Sequence, residues 1–377
     1  MIWQRPARTA AVSVVIPVFA VALALGSVAA LLLAVGSDPI AAYKSMWSAS
    51  LGSSFSVSTT VIKAMPRLMA ALGIALALRA GLWNIGAEGQ IYIGAIATTA
   101  AALYGPQIGF PLLTAIALAA GALAGAAWAA VPGVLRARRG ISEVITSLML
   151  VYVAIQLTNY LVEGPWLIPN TTFPESPPIT SGTLPIVVSG TLLNAGAVVA
   201  LLAVALTWFL MSRSTFGLHL NAVGGNERAA HVAGVRVRTT IVLAMAVSGA
   251  LAGLAGGVEV LGARGRLIEG FSPGYGFEAI AIALLGRLHP VGILGAALLF
   301  GALDAGSAGL QTAARGAPAS IAQVAEGLAV AYVLIGLGIS ERLARRRRAH
   351  AALEDAHGPR PVESELVPSA GRRPRSE

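Results

Sequence analysis

Residues 79–90 combine side chains and backbone that are costly inside a membrane. The segment reads RAGLWNIGAEGQ and lies between two apolar stretches that are each long enough to cross a bilayer. Polar groups beside irregular backbone are expensive in hydrocarbon, so they belong where they face protein or a water-filled path. An ordinary loop between two membrane helices is the alternative interpretation. The candidates for lining a solute path in this segment are Trp83, Asn84, Gly86, Glu88 and Gln90.

Residues 270–278 form a second glycine-rich break that also carries a glutamate. The two breaks fall within residues 59–162 and residues 240–339, which are similar in length and each hold several apolar segments. The first of these halves would start outside the membrane and the second inside, which predicts an inverted repeat with a solute path near the midplane. The path candidates in the second break are Phe271, Tyr275 and Glu278.

Residues 217–235, GLHLNAVGGNERAAHVAGV, mix glycines and polar side chains with a short apolar rhythm. This pattern predicts a short amphipathic helix on the cytoplasmic face, entered through Gly224 and Gly225. A solvated loop needs no apolar face, so we expect a partner protein to dock here. Such a helix-in-groove contact would transmit motion to the spans on either side.

The acidic residues in or near the predicted spans allow two interpretations. An ion-coupled carrier would use some of them as ion or proton sites. Alternatively, they cap helices or form hydrogen bonds within the bundle. Several stand near predicted helix ends and no Asp/Glu/His relay is evident, which favours the second interpretation. The acids concerned are Glu88, Glu143, Glu259, Glu278, Asp304 and Glu326.

The sequence shows no pattern typical of an enzyme. Its five histidines lie in predicted loops or in the C-terminal tail without metal-ligand spacing. A GxSxG elbow and a GxxxxGK[ST] phosphate loop are also missing. We therefore predict no catalytic residues, no metal ligands and no cofactor. If the protein pumps a solute, the energy must come from a partner or from an ion gradient.

The composition requires a membrane environment for the elements that position these residues. Hydrophobic residues make up 56% of the chain and charged residues 11%, whereas soluble domains have roughly 25% charged residues. Repeated apolar runs of about 20 residues then predict an all-α, polytopic membrane protein. The net charge of +9 lies mostly in short loops and in the tail. This distribution is typical of cytoplasm-facing segments rather than of nucleic-acid binding.

About ten crossings follow from the apolar pattern, with both termini in the cytoplasm. The domains are a cytoplasmic N-terminus at 1–11, a transmembrane domain at 12–340 with a cytoplasmic coupling loop at 212–239, and a basic, disordered tail at 341–377. Arg136, Arg138 and Arg139 mark a further cytoplasmic loop. Segments 277–288 and 291–304 are shorter than a full span, so one of them is expected to be re-entrant. The predicted full spans are 12–35, 59–79, 91–103, 111–135, 141–162, 192–211, 240–261 and 321–339.

Four stretches together carry a family resemblance: RAGLWNIGAEGQIYIGA, GISEVITSLMLVYVA, STFGLHLNAVGGNERAAHVAGV and GFSPGYGFEAIAIALLGRLHPVGILGAALLFGAL. They resemble the membrane permease subunits of bacterial ABC importers, in the branch that handles nucleosides and simple sugars. That branch is related to the ribose and branched-chain amino-acid permeases. The resemblance covers nearly all of residues 59–339, and the two glutamate-bearing breaks make it specific.

The resemblance implies a plasma-membrane permease that pairs with a second, homologous permease subunit. The pair would sit on a cytoplasmic ABC ATPase and receive solute from an extracytoplasmic solute-binding lipoprotein. The embedded motif of the family maps onto the block from Asn84 to Gln90. Family members often have proline after the asparagine of the coupling segment, where this chain has Glu227. The coupling residues implied are Gly217, Gly224, Gly225, Asn226, Arg228, Ala229, Ala230 and Gly234.

The expected function is therefore that of a permease subunit for nucleosides, with no catalytic activity of its own. A nucleoside path calls for aromatic faces for the base and polar groups for the ribose. One alternative is the same machine for a simple sugar such as ribose. A second is a self-contained, ion-coupled secondary transporter, and a structural scaffold is a more distant third. The residues that could serve a nucleoside are Trp83, Asn84, Tyr92, Phe271 and Tyr275.

Overall fold

The computed structural model describes residues 22–313 except 24, 35, 107 and 170–172, together with scattered residues between 324 and 336. The predicted segments 1–11 and 341–377 lie outside the described residues, as does Glu326. Most of the predicted last span, 321–339, also lies outside them. The predicted first span, 12–35, is described only from residue 22 onward.

Within this part of the chain the fold is all-helical, as the sequence predicts, and the described residues form only two isolated β-bridges and no strand. Twelve helices follow one another along the described residues. They are α1 (Leu25–Ala34), α2 (Pro39–Leu51), α3 (Ser54–Arg79), α4 (Ala87–Tyr104), α5 (Leu112–Arg139), α6 (Glu143–Glu163), α7 (Gly196–Ser212), α8 (Thr215–Gly225), α9 (Glu227–Val232), α10 (Val237–Glu259), α11 (Tyr275–Leu285) and α12 (Pro290–Ala313). A π-helical turn, Val260–Arg264, extends α10.

Five of the described helices are long and apolar enough to cross a membrane: α3, α5, α6, α12, and α10 together with its π turn. A sixth span results if α7 and α8, which meet at a bend of 65°, count as one. The described residues therefore show a multi-pass membrane protein with five or six candidate spans. They do not confirm the ten crossings or the inverted repeat.

The α12 helix differs from its prediction, since it runs for 24 residues and contains a full candidate span, Pro290–Gly309. The sequence analysis ended this segment at Asp304. In the structure Asp304 pairs with two cations. Since its charge is compensated, the helix continues past it.

Arg136, Arg138 and Arg139 also differ from their predicted place, since they form the last turn of α5 rather than a loop. Positive side chains are favourable at a helix C-terminus, where the helix dipole is negative. The helix ends at Gly140, whose φ of +66° is the left-handed conformation that glycine adopts at helix ends.

The α3 helix lies at the centre of the bundle. Every residue from Ala64 to Ala77 is buried, and the helix packs against α7, α10, α11 and α12. Its buried stretch includes Arg67, which lipid cannot solvate, so this helix needs protein around it. By contrast, only 22% of the apolar stretch of α6 that could cross a membrane is buried, which places α6 at the periphery of the bundle.

Glycines bring α4, α5 and α10 into backbone contact. Gly94 and Gly121 face Gly253, and Gly125 faces both Gly249 and Gly253. A Cβ atom added at any of these glycines would overlap the opposite backbone. Small residues allow this close approach between membrane helices, and the contact gains van der Waals energy where lipid offers no hydrophobic drive. We call these glycines the glycine seam.

The connections lie at two ends of the bundle. At the end that we call the coupling end, the C-terminus of α3 meets α8, because Gly224 packs on the backbone of Arg79 and Ala80. At the opposite end, the backbone N–H of Ser176 donates to Leu267 O at 2.8 Å, and Arg266 pairs with Glu175. The irregular segments 173–195 and 265–274 therefore belong to the same end.

Candidate translocation and coupling sites

The first break, between α3 and α4, holds a closed network of buried amides. Asn84 Nδ2 donates to Gln90 Oε1 and to Ser248 Oγ, both at 2.8 Å, and Gln90 Nε2 donates back to Asn84 Oδ1 at 2.9 Å. All three side chains are buried. Asn84 and Gln90 thus satisfy each other and tie the break to α10, as buried polar groups require.

The candidate Gly86 and its neighbour Gly89 pack on α6. An added Cβ at Gly86 would lie 2.8 Å from Ser147 Cβ, and one at Gly89 would lie 2.9 Å from Val151 Cα. The chain needs glycine at both positions because the α6 backbone leaves no room for a side chain. Trp83 is the exposed member of this group, with 45% of its surface accessible.

The two breaks meet directly at Glu88. The backbone N–H of Gly276 donates to Glu88 Oε2 at 2.6 Å, and a Cβ at Gly276 would overlap the backbone of Glu88. Glu88 is buried in the first turn of α4, where the positive end of the helix dipole favours a carboxylate. The two segments that the sequence predicts as breaks therefore contact each other directly in the structure.

A cluster of ion pairs lies beside this contact and joins α3, α11 and α12. Arg67 pairs with Glu278 and, at 2.9 Å, with Asp304, which also pairs with Lys63 at 2.7 Å. The guanidinium of Arg67 stacks over the Tyr275 ring at 4.6 Å. Only 1% of Arg67 is exposed, and a charge buried this deeply needs opposite charges around it. We call Lys63, Arg67, Glu278 and Asp304 the charge cluster.

A second ion pair supports the other side of the second break. Arg264 Nε lies 3.1 Å from Glu259 Oε1, and Arg264 Nη2 donates to Phe271 O at 2.8 Å. Tyr275 Oη lies 3.5 Å from the same Glu259 oxygen. The π turn carries Arg264 to this position, and single π turns are frequent at functional sites.

The aromatic candidates are mostly covered in this conformation. The rings of Tyr92 and Phe271 pack edge to face with centroids 4.6 Å apart, and both residues are buried, as is Tyr275. Of the aromatic residues proposed to serve a nucleoside, Trp83 is exposed. The described acids Glu88, Glu143, Glu259, Glu278 and Asp304 each have a protein partner.

The coupling segment forms two helices, α8 and α9, rather than the one helix predicted. Gly224 and Gly225 end α8, and Asn226 caps α9 by accepting hydrogen bonds from Arg228 N at 2.9 Å and Ala229 N at 3.0 Å. Asparagine is among the best N-cap residues, because its side chain satisfies N–H groups that have no helical partner. The expected start at the two glycines is therefore displaced to Asn226.

The coupling candidates divide into internal and outward-facing residues. Gly217 packs on the end of α7 and Gly224 on the end of α3, whereas a side chain at Gly225 would meet nothing within 4 Å. Ala230 is buried, while Arg228 and Ala229 are exposed. Gly234 follows α9 with a φ of +85°. Gly225 and the exposed side of α9 are thus free for contact with a partner.

The sequence analysis missed the cations of these sites. Lys63 and Arg67 stand four residues apart in an otherwise apolar stretch, so they lie on one face of a helix. That spacing is a signal that two charges need acids on neighbouring spans. Arg136 was assigned to a loop, and its contacts with Glu143 and Glu227 depend on the tertiary fold.

Comparison with known proteins gives the same picture. The model of a family described as the permease component of the branched-chain amino acid transport system matches residues 56–338. A glucose ABC transporter permease of Haloferax volcanii is 38% identical over 83% of this chain and 84% of its own length. A guanosine ABC transporter permease of Bacillus subtilis is 35% identical over 84% of this chain and 92% of its own.

A nucleoside ABC transporter permease of Lactococcus lactis is 31% identical over 90% of this chain and 95% of its own length. No solved structure matches the chain significantly. The family match spans both breaks, the charge cluster and the coupling segment. The chain therefore belongs to this family of ABC transporter permease subunits, which are multi-pass membrane proteins and transport components rather than enzymes.

Proposed function

We propose that this chain is the permease subunit of an importer for nucleosides and that its two breaks form part of the solute path. The carrying observation is that the breaks touch each other and that the first break also touches the coupling segment. Gly276 of the second break contacts Glu88, and Gly224 of α8 contacts the start of the first break. A movement of the coupling segment can therefore reach both breaks through direct packing.

The partners are a second, homologous permease subunit, a cytoplasmic ABC ATPase and an extracytoplasmic solute-binding lipoprotein. Gly225 and the exposed side of α9 face the ATPase. The coupling end carries Arg136, Arg138, Arg139 and further arginines of segment 213–238. Membrane proteins keep such positive charge on the cytoplasmic side, which supports a cytoplasmic coupling end and cytoplasmic termini.

Two of the relatives described above are permeases for guanosine or nucleosides, which supports a nucleoside as the solute. A sugar is the second candidate, because the relative from Haloferax volcanii is a glucose permease with 38% identity. A self-contained, ion-coupled transporter receives less support, because each described membrane acid already has a protein partner.

Uptake measurements test this proposal. Uptake of labelled adenosine, ribose and glucose is measured in cells that lack the gene, with and without complementation. The measurements are made in the presence of a protonophore while ATP is maintained. We expect cells that lack the gene to lose adenosine uptake alone. The adenosine uptake that complementation restores should be insensitive to the protonophore. Loss of ribose or glucose uptake alone would mean that the solute is a sugar, and that the protein is still a permease driven by an ATPase. Protonophore-sensitive uptake would overturn the coupling to an ATPase.

A matched pair of variants sharpens this measurement. Gly225→Trp places a large ring on the coupling face, and Gly295→Trp places one on α12, and at both positions an added Cβ meets nothing within 4 Å. We expect Gly225→Trp to insert normally and to lose uptake, because the ring blocks the ATPase. Gly295→Trp should keep uptake. Equal uptake by both inserted variants would remove α8 and α9 from the coupling role.

A further inference from the structure

Arg136 bridges two carboxylates at the coupling end. Its Nη2 donates to Glu227 Oε1 at 3.2 Å, and its Nε lies 3.4 Å from Glu143 Oε2. Glu227 is the first residue of α9, Arg136 belongs to the last turn of α5, and Glu143 is the first residue of α6. One side chain thus connects three helices.

The connection continues from Glu143 into the first break. The backbone N–H of Trp83 donates to Glu143 Oε1 at 3.3 Å. One turn further along α6, Ser147 packs against Gly86 of the same break. A continuous set of polar contacts therefore runs from α9 through Arg136 and Glu143 to the backbone of the break that holds Trp83.

The contact between Arg136 and Glu227 is poorly suited to stabilising the fold. Their side chains are 34% and 49% exposed, and exposed ion pairs contribute little to the stability of a fold. Glu143, at the inner end of the set, is only 11% exposed. The set therefore begins in solvent on the coupling face and ends inside the bundle.

An open groove next to these residues leaves α9 room to move. The groove has a volume of about 860 Å³ and is lined by residues of α9, the end of α5 and the start of α10, including Arg136, Glu227 and His231. Arg136 spans the edge of this groove through its contact with Glu227. Its Nε lies 3.4 Å from Glu143 Oε2 without forming a hydrogen bond to it.

We propose that Arg136 is a positioning residue that transmits the displacement of α9 to the first break through Glu143. The inference rests on the proposed function, in which α9 receives the motion of the ATPase. When α9 moves, Glu227 draws or releases Arg136, and Arg136 in turn changes its contact with Glu143 and with the backbone at Trp83. Arg136, Glu143 and Glu227 thus change the shape of the break, while other residues form the solute path itself.

The test uses the complete complex of permease subunits, ATPase and binding protein in proteoliposomes. This chain contains no cysteine, so Trp83→Cys provides a single labelling site on the exposed position of the break. Two quantities are measured: adenosine uptake per ATP hydrolysed, in chains that keep Trp83, and, in separate chains that carry Trp83→Cys, labelling of this cysteine by a membrane-impermeant maleimide with and without ATP and vanadate. The variants are Arg136→Gln, Glu227→Gln and their combination, with Arg139→Gln as the matched control on the same helical turn.

We expect Arg136→Gln and Glu227→Gln each to lower uptake per ATP by about tenfold, a change within the usual range for coupled neighbours. The double variant should be no worse than Arg136→Gln, because both changes remove one connection. The nucleotide-dependent change in labelling should disappear in the same variants and persist in Arg139→Gln. Glu227→Pro gives a check on folding, since proline fits the first position of a helix, and it should behave as Glu227→Gln does.

Three results would overturn the inference. The first is normal uptake per ATP and normal labelling in Arg136→Gln, and the second is a double variant whose loss is the product of the single losses. The third is labelling of Trp83→Cys that does not respond to nucleotide in a chain that keeps Arg136 and Glu227. Failure of the proposed function is a separate result, namely no adenosine uptake by the complex without substitutions at these positions. In that case a nucleotide-dependent labelling change that is lost in Arg136→Gln would still support the role of Arg136.

Discussion

At the scale of single residues, the charge cluster shows how this bundle tolerates ions in its interior. Arg67 is almost fully buried and satisfies two acids, Glu278 and Asp304, while Lys63 reaches Asp304 from a half-exposed position. Arg67 needs these acids, because packed helices and lipid offer no solvent to a charge buried this deeply. Loss of Arg67 would leave Glu278 without its ion-pair partner, whereas Asp304 would keep Lys63.

Arg67→Met is expected to lower the free energy of unfolding by about 3–5 kcal/mol, because it leaves Glu278, whose side chain is only 20% exposed, without its counter-charge. The measurement is the midpoint of heat or SDS denaturation of the purified protein in detergent. Lys63→Met is the matched control and should cost less, since Lys63 is partly exposed and Asp304 keeps Arg67.

The combined variant Arg67→Met, Glu278→Gln, Asp304→Asn removes the charges together and should recover much of the lost stability, because neutral side chains cost less to bury than unpaired ions. A midpoint for Arg67→Met equal to that of the unaltered protein would contradict this account of the cluster.

The sequence allowed half of this cluster to be predicted. Glu278 and Asp304 were identified as acids in need of an explanation, and capping or internal bonding was the favoured one. Their partners were missed because Lys63 and Arg67 lie inside an apolar stretch whose average hydropathy hides two charges. Which acid meets which base depends on the packing of α3 against α11 and α12, and sequence separation gives no measure of that.

At the scale of helices, the contact between the two breaks depends on the backbone of a glycine and on the carboxylate of a glutamate. Gly276 stands directly against Glu88, and its N–H donates to the Glu88 carboxylate. The position of α11 relative to α4 is therefore set by a residue with no side chain. The pattern of glycines and a glutamate predicted both breaks, but their meeting could not be predicted because nearly 190 residues separate them.

Gly276→Ala is expected to force α11 and α4 apart, because the new Cβ would overlap the Glu88 backbone. Overpacking of this kind costs about 1–3 kcal/mol, and we expect the displaced contact to lower adenosine uptake. Gly295→Ala on α12 is the matched control, since open space surrounds its Cβ position and alanine favours a helix over glycine. Uptake by Gly276→Ala at the level of Gly295→Ala would refute the role of this contact.

The helix boundaries show where apolar periodicity succeeds and where it does not. The predicted second span, 59–79, corresponds to α3, and the predicted span 141–162 corresponds to α6. The predicted segment 291–304 was too short, since α12 continues to Ala313 and its apolar stretch Pro290–Gly309 includes Asp304. Asp304 pairs with Lys63 and Arg67 of α3, and the sequence gives no measure of that pairing.

At the scale of the whole molecule, the distribution of arginines defines two different ends. Arg136, Arg138 and Arg139 lie at the coupling end, whereas Arg264 and Arg266 at the opposite end are each paired with a glutamate. Lys and Arg are enriched on the cytoplasmic side of membrane proteins, and the coupling end carries more arginines than the two at the opposite end, which supports a cytoplasmic coupling end.

Single cysteines can test the orientation, because the chain has none of its own. Val232 on α9 is 87% exposed and Phe173 at the opposite end is 74% exposed. In intact cells, an impermeant maleimide should label Phe173→Cys and leave Val232→Cys unlabelled until the membrane is permeabilised. The reverse pattern would mean that the coupling segment faces outward and that no cytoplasmic ATPase can reach it.

The glycine seam has a consequence for the order in which the protein is built. α4 and α5 leave the ribosome long before α10, whose Gly249 and Gly253 face Gly121 and Gly125 of α5. Until α10 is inserted, Gly121 and Gly125 of α5 lack the backbone of Gly249 and Gly253 that packs against them. A nascent chain that stops short of α10 therefore lacks one side of the seam. The seam thus makes the middle of the chain dependent on its later part for assembly.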